Sequence, residues 1–288
     1  MRKHLFIPDT QVTPDSPTEH LDWIGRYIVE QKPDVIVMIG DFADMESLST
    51  YDKGKRQFEG RRYVKDIRAA NKAMDVLMGP IHDYNAKMRQ QKMALYKPEM
   101  HLTLGNHEHR IQRAIDYQAE LEGVMSMDDL KYAEHGWIVH PFLKPVTIDG
   151  VTYAHYFANQ QSGRPIGGLS MDTRLKNIGF SFSMGHQQVY MTGERPLNNG
   201  RLVRGMVWGS CYLHDEDYRG FQANGERRGI AVKHEVRDGM YDLMEVSLDY
   251  LCRKYTGVHV WEFMKNKYPE IYEHSTWMRA HERAATSE

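Results

Sequence analysis

Five places in this 288-residue chain set metal-binding side chains just after short apolar runs. Asp9 follows the run 4–8, and Asp41 follows 35–39. Asn106 and His107 follow 100–104, His155 follows a run ending in Val-Thr-Tyr-Ala, and His186 follows Gly185. Carboxylate, amide oxygen and imidazole are hard-to-borderline donors that suit Mn, Fe, Zn or Ni. Glycines at 40, 105 and 185 stand next to the donors, where a sharp turn and a close approach are needed. Such a donor set suits phosphoester chemistry. Two cations roughly 3.5–4 Å apart neutralise phosphate oxygens and lower the pKa of a bound water. An imidazole outside the ligand set then protonates the leaving oxygen.

The flanking elements must bring these donors together. The opening reads strand–helix–strand, with Leu21, Ile24, Tyr27 and Ile28 on one helical face and Ser16 or Thr18 as its cap. A right-handed crossover makes the two strands parallel neighbours. Ligands of open α/β sheets gather outside the carboxyl ends of strands, where Asp9 and Asp41 fall. Residues 55–97 read as two helices broken at Gly79-Pro80. This stretch is rich in base, with Lys53, Lys55, Arg56, Arg61, Arg62, Lys65, Arg68, Lys72, Lys87, Arg89, Lys92 and Lys97. A third strand is expected at 100–104 and a helix from Ile111 to about Leu121. Beyond Trp137 the pattern predicts strands at 137–142, 145–156, 179–184, 188–192, 203–209, 229–236 and 241–247, then a helical tail. The expected organisation is one domain over 1–250, with a helical insert at about 50–98 and a helical tail over 251–288.

Composition bounds the function classes. The chain is 41% hydrophobic and 26% charged, as expected of a globular protein. Its formal net charge of -2 excludes a global basic field. The two cysteines, Cys211 and Cys252, are too few for a disulfide framework or a cysteine-based zinc site. With no long apolar run, the expected location is cytoplasmic.

The series Asp9-x-Gln11, Gly40-Asp41, Gly105-Asn106-His107-Glu108, His155 and Gly185-His186-x-Gln188 resembles the calcineurin-like metallophosphoesterase family. The family pattern is D-x-H, G-D, G-N-H-[DE], a lone H, and G-H-x-H, and the matching motifs keep its order from residue 9 to 188. The texture of IPDTQ, IGDFAD and LGNHEHR is similar to versions carried by bacteriophages, which would place the protein in the host cytoplasm. The resemblance implies an α/β fold in which a two-sheet β-sandwich is flanked by helices. It also implies two divalent metal ions. Asp41 would bridge them, Asn106, His155 and His186 would complete one, and Asp9 would hold the other. His107 would contact the phosphate and act as general acid.

Two departures fall on the same metal: Gln11 and Gln188 stand where the family has histidines. Amide oxygens are weaker, harder donors, so that site is expected to bind loosely and to favour Mn²⁺ or Mg²⁺ over Zn²⁺. Gln11 and Gln188 are read either as ligands or as hydrogen-bond partners of ligands. His214 in GSCYLHDED, or His109 in the His-Glu-His spacing, would supply a missing imidazole. Arg110 and Arg164 are candidate phosphate clamps, each with a surface ion pair as its plainer reading. Asp44 reads as a helix cap.

The basic stretch is either a solvated face or a platform for nucleic acid. The tail stripe of Tyr255, Val258, Trp261, Phe263, Met264 and Tyr268 either packs on the body or makes a homodimer contact. The favoured expectation is a phosphodiesterase or nuclease-like enzyme. A phosphomonoesterase, including a protein phosphatase, and a catalytically weakened binding module are the alternatives.

Overall fold

The computed structural model describes residues 1–51, 54–216 and 226–286. Lys53 of the basic stretch lies outside these residues. Strand β1 (Arg2–Ile7), helix α1 (Glu19–Gln31) and strand β2 (Val35–Met38) form the expected opening unit. Strands β3 (Glu99–Thr103) and β4 (Ile138–His140) extend it in parallel. On the other side, β10 (Gly229–Arg237) pairs antiparallel with β1, and β11 (Met240–Ser247) pairs antiparallel with β10. The six-stranded order is β11-β10-β1-β2-β3-β4. A second sheet runs β5 (Val146–Ile148), β6 (Val151–Tyr153), β7 (Phe182–Met184), β9 (Leu202–Val207) and β8 (Met191–Pro196). The molecule is thus α/β, with two mixed sheets stacked as a sandwich and helices outside.

Strand alternation builds the layers. Leu5, Ile7, Ile36 and Met38 face the core under the helices. Phe6, Val35, Val37 and Ile39 face Val151, Tyr153, Met206 and Trp208 of the second sheet. Both faces of β1 and β2 are therefore apolar, as their unbroken hydrophobic runs require.

Four elements differ from expectation. Residues 55–97 hold one long helix, α2 (Tyr63–Gln90), with Pro80 inside it, after a short 3₁₀ turn at Arg56–Phe58. The buried stripe Ala70, Ala73, Met74, Leu77, Met78 and Ile81 keeps helical spacing across the proline. Gly25 of α1 lets the two helices touch there: a Cβ on Gly25 would lie 2.4 Å from the Leu77 carbonyl oxygen and 2.9 Å from a Pro80 ring carbon. Tertiary packing outweighs the one lost hydrogen bond. The run 145–156 is two strands, β5 and β6, because Asp149 (φ 49°) and Gly150 (φ 83°) make a tight hairpin turn. Helix α3 (His109–Tyr117) is followed by a 3₁₀ turn at Ala119–Leu121. An unexpected helix, α4 (Met171–Ile178), is capped by Ser170, whose side chain accepts the Thr173 N–H. It packs Met171 and Leu175 against Phe182 and Val203.

The tail forms α5 (Leu248–Thr256), α6 (Val260–Lys267), α7 (Pro269–His274) and α8 (Thr276–Thr286). Its aromatic stripe packs on the body, with Phe263 edge-on to Trp23 at 5.3 Å. Asp215 caps α8 by accepting from Thr276 N–H (2.7 Å) and the Ser275 hydroxyl (3.0 Å). Among the described residues, no helix is long and apolar enough to cross a membrane.

Candidate metal centre

The loops after β1, β2, β3, β6 and β7 converge at one end of the sandwich. They are laced to one another through backbone atoms. The Asp41 carbonyl accepts Thr10 N–H (3.1 Å) and Gln11 N–H (2.8 Å), and the Asp9 carbonyl accepts Cys211 N–H (2.7 Å). The fully buried Glu108 carboxylate accepts the N–H groups of Asp41 (2.9 Å), Phe42 (2.6 Å), Ala43 (3.1 Å) and Gly105 (2.9 Å). One side chain thereby ties the loop bearing Asp41 to the loop bearing Asn106.

Two glycines make room for the carboxylates. A Cβ on Gly105 would sit 2.0 Å from Asp41 Oδ1, and one on Gly185 would sit 2.2 Å from Asp9 Oδ1. Four candidate residues hold left-handed backbone: Gln11 (φ 43°), Asp41 (φ 50°), His186 (φ 65°) and Gln188 (φ 52°). Such conformations cost on the order of 1–3 kcal/mol each and gather where function fixes the geometry.

Asp41, His155 and His186 each bring a donor atom within 4.8 Å of the others. His155 Nδ1 contacts the Ile39 carbonyl oxygen at 2.8 Å, so it carries the hydrogen, and a neutral ring presents a lone pair at Nε2. That Nε2 lies 3.1 Å from Asp41 Oδ2 and 3.0 Å from Asn106 Oδ1. Two oxygen acceptors thus crowd the same ring nitrogen. A proton on Nε2 satisfies both oxygens, and a metal ion would replace it, since the donor types fit a divalent ion. The buried Asp/His/His cluster can hold a metal ion.

The charges respond to this crowding. Burial alone would lower His155, but the Asp41 carboxylate beside it raises it to about 9. Burial and the neighbouring His155 lower His186 to about 4, which leaves its imidazole neutral and ready to ligate. Burial raises Asp41, yet His107 and His155 outweigh it and hold the carboxyl well below the usual range. Asp9 is fully buried, accepts the His186 N–H at 3.1 and 3.2 Å, and is raised to about 7 by burial and the nearby Asp41 charge.

His107 is oriented separately. Its backbone N–H donates to Asp41 Oδ1 (2.9 Å), and its Nδ1 meets Asp44 Oδ1 at 2.5 Å. Its Nε2 lies 3.7 Å from Asp41 Oδ2 and 3.4 Å from an Arg110 nitrogen. Burial would lower this imidazole, but Asp41 and Asp44 raise it to about 9. Asp44 is therefore not a helix cap: the short turn Glu46–Leu48 starts at Met45, and the Asp44 carboxylate serves His107. Arg110 donates to the Asp44 carbonyl at 2.7 Å.

A cleft of about 750 Å³ opens over the cluster. Gln11, Asp41, Asn106, His107, Arg110, His186 and His214 line it, together with Lys55, Arg61 and the acids Asp44, Glu46, Asp215 and Glu216. His214 binds Glu216 at 2.8 Å and stacks on Tyr212 at 4.7 Å, outside the three-residue cluster. Gln188 is buried and accepts the Tyr212 hydroxyl at 2.8 Å. His109 stacks on Phe142 at 4.8 Å and does not line the cleft. Arg164 is exposed and does not line it. Within the basic stretch, Arg62, Lys65, Arg68 and Lys72 are exposed where α2 begins.

Sequence reading missed two partners of the site. The Gly-Asp-x-x-Asp spacing was the available signal for Asp44. Glu108 was visible only as the last residue of the Gly-Asn-His-Glu motif.

No protein-family profile matches the chain, and no curated protein does. Among solved structures it is similar to TT1561 of Thermus thermophilus, at 9% identity over 86% of this chain and 99% of that one, with a TM-score of 0.39. A second structure aligns over the same shares at 11% identity and the same TM-score. Likeness at this level carries no argument about activity.

Proposed function

We propose that the protein is a metal-dependent phosphoester hydrolase of the calcineurin-like type, acting on phosphodiesters of nucleic acid or nucleotides. The observation that carries this reading is the gathering of Asp41 Oδ2 and Asn106 Oδ1 around His155 Nε2, with His186 in the same cluster and a separately oriented His107 beside it. Asp41, Asn106, His155 and His186 would hold one divalent ion. Asp9 and Asp41, with Gln11 and Gln188, would hold a second, weaker one, Mn²⁺ being favoured over Mg²⁺, Fe, Ni²⁺ or Zn²⁺. When bound, the ions neutralise the phosphate oxygens and acidify water enough to supply the nucleophile near neutral pH.

The chain's own groups do the rest. Asp44 fixes the His107 ring at Nδ1, so the proton at Nε2 points into the cleft and passes to the leaving oxygen. Arg110, held by the Asp44 carbonyl, offers its other nitrogens to the anion. Glu108 keeps the two ligand loops in register. Arg62, Lys65, Arg68 and Lys72, exposed where α2 begins, are the bases that favour an extended polyanion over a lone phosphate; Arg61 is itself paired with Glu46 at 3.2 Å.

One observation supports the monoester alternative. Arg110 stands 3.4 Å from His107 Nε2, as a clamp on a phosphate dianion would. Hydrolysis of bis(p-nitrophenyl) phosphate and of p-nitrophenyl phosphate, in about millimolar Mn²⁺ because the amide-rich site binds weakly, decides between them. Faster diester turnover, reduced about a hundredfold or more in His107→Ala, is expected. Strong monoester preference would favour a phosphatase. Turnover unchanged in both His107→Ala and Asp41→Asn would overturn the hydrolase reading.

A further inference from the structure

Outside the cleft lining, a group of rings packs directly on two of the metal-binding side chains, and reaches the cleft through His186. The Tyr156 ring lies 4.6 Å from His186 and 5.9 Å from His155. Phe142 meets Tyr156 edge-on at 5.6 Å and stacks on His109 at 4.8 Å. Phe142, Tyr156 and His109 are only half-buried, so apolar ring surface stays in water beside a charged cluster. Phe142 is presented by a turn that Lys144 N–H closes onto the Pro141 carbonyl at 3.0 Å. Leu143, the third residue of that turn, has φ 61°, where glycine or asparagine would be relaxed. Leu143 is itself 39% exposed, so burial of its own side chain does not explain the strain.

We propose that Phe142 and Tyr156 form a stacking shelf for the nucleobase of a substrate whose phosphate lies at Asp41, His155 and His186. This rests on the phosphoesterase reading and names its substrate class, a nucleotide ester. A base and its phosphate are separated by one sugar. A phosphate beside His186 therefore brings its base within reach of the rings packed on that histidine. Every base has a π-face, so the shelf senses the presence of a base rather than its identity.

The test is equilibrium binding in Mn²⁺ of thymidine 5′-monophosphate against methyl phosphate. The wild type, Phe142→Leu, Tyr156→Leu and Tyr156→Phe are compared. The wild type should prefer the nucleotide about tenfold. Both leucine variants should lose that preference, and Tyr156→Phe should keep it. The ratio of the two affinities cancels any loss of metal common to both ligands. Equal binding of both ligands by the wild type, or a preference that survives both leucine variants, overturns the shelf. Hydrolysis of p-nitrophenyl thymidine 5′-phosphate is followed in parallel. Intact preference without turnover would overturn the phosphoesterase reading and leave the shelf standing, and turnover without preference would do the reverse.

Discussion

The two sides of the candidate metal centre are built differently. On the histidine side, His155 is fixed by the Ile39 carbonyl and meets Asp41 and Asn106 at 3.1 and 3.0 Å. On the glutamine side, Asp9 is fully buried and raised to about 7 by burial and Asp41, and Gln188 commits a lone pair to Tyr212. A pre-oriented imidazole meets an ion with little rearrangement. A carboxyl that must shed a proton, with neutral amides beside it, binds more weakly and more pH-dependently. The difference teaches that, in the proposed two-ion centre, a shared carboxylate would not make two equal sites.

Four changes break or sharpen that contrast. The largest effect is expected from Asp41→Asn, which removes the charge common to both sides. Mn²⁺ affinity by calorimetry should fall by about a hundredfold or more, beyond what loss of an outer partner costs. A loss confined to the weaker binding event would mean that Asp41 belongs to one side alone. Next is Glu108→Gln, which replaces an acceptor of four backbone N–H groups with a side chain that must itself donate. A roughly 10–100-fold loss of metal affinity is expected, with a lower urea midpoint. Unchanged affinity would show that the loops hold their register without it.

Gln188→His should act on the glutamine side only. The Mn²⁺ concentration for half-maximal turnover should fall on the order of tenfold. No change would identify Gln188 as a partner of Tyr212 rather than a ligand. The smallest effect concerns His20, fully buried near His214, which burial, with His214 and Arg228 close by, lowers to about 3. The unfolded chain takes up the proton first, near the ordinary pKa of about 6.5. Stability attributable to this residue is therefore complete at pH 7 and falls as the solution is acidified. Between pH 7 and 5.5 the wild type should lose about 1 kcal/mol more than His20→Gln, measured by urea unfolding. Equal losses would show that His20 is protonated in the folded state.

What could be read from sequence follows from how local each signal is. The strand ends bearing Asp9, Asp41 and Asn106 were legible because an apolar run, a turn and a donor lie within a few adjacent residues. Asp44 was not, because its meaning depends on His107, 63 residues away. Glu108 fills its role by reaching backbone atoms 65 to 67 residues distant. The hairpin at Asp149-Gly150 carried a clear turn signal that the flanking apolar run masked. Pro80 misled because its helix is held by the tight approach of Gly25, a tertiary contact that helix propensity does not register. Helix α4 was hidden by its mostly polar sequence, in which Met171 and Leu175 supply the buried apolar contacts.

Asp41, His155 and His186 are proposed to hold a divalent ion next to a second, weaker one. Calorimetric titration of the wild-type protein with Mn²⁺, repeated on His155→Ala, tests it most directly. Two binding events of unequal affinity are predicted, the tighter one lost in His155→Ala. No binding, or a tight event that survives the substitution, would contradict it.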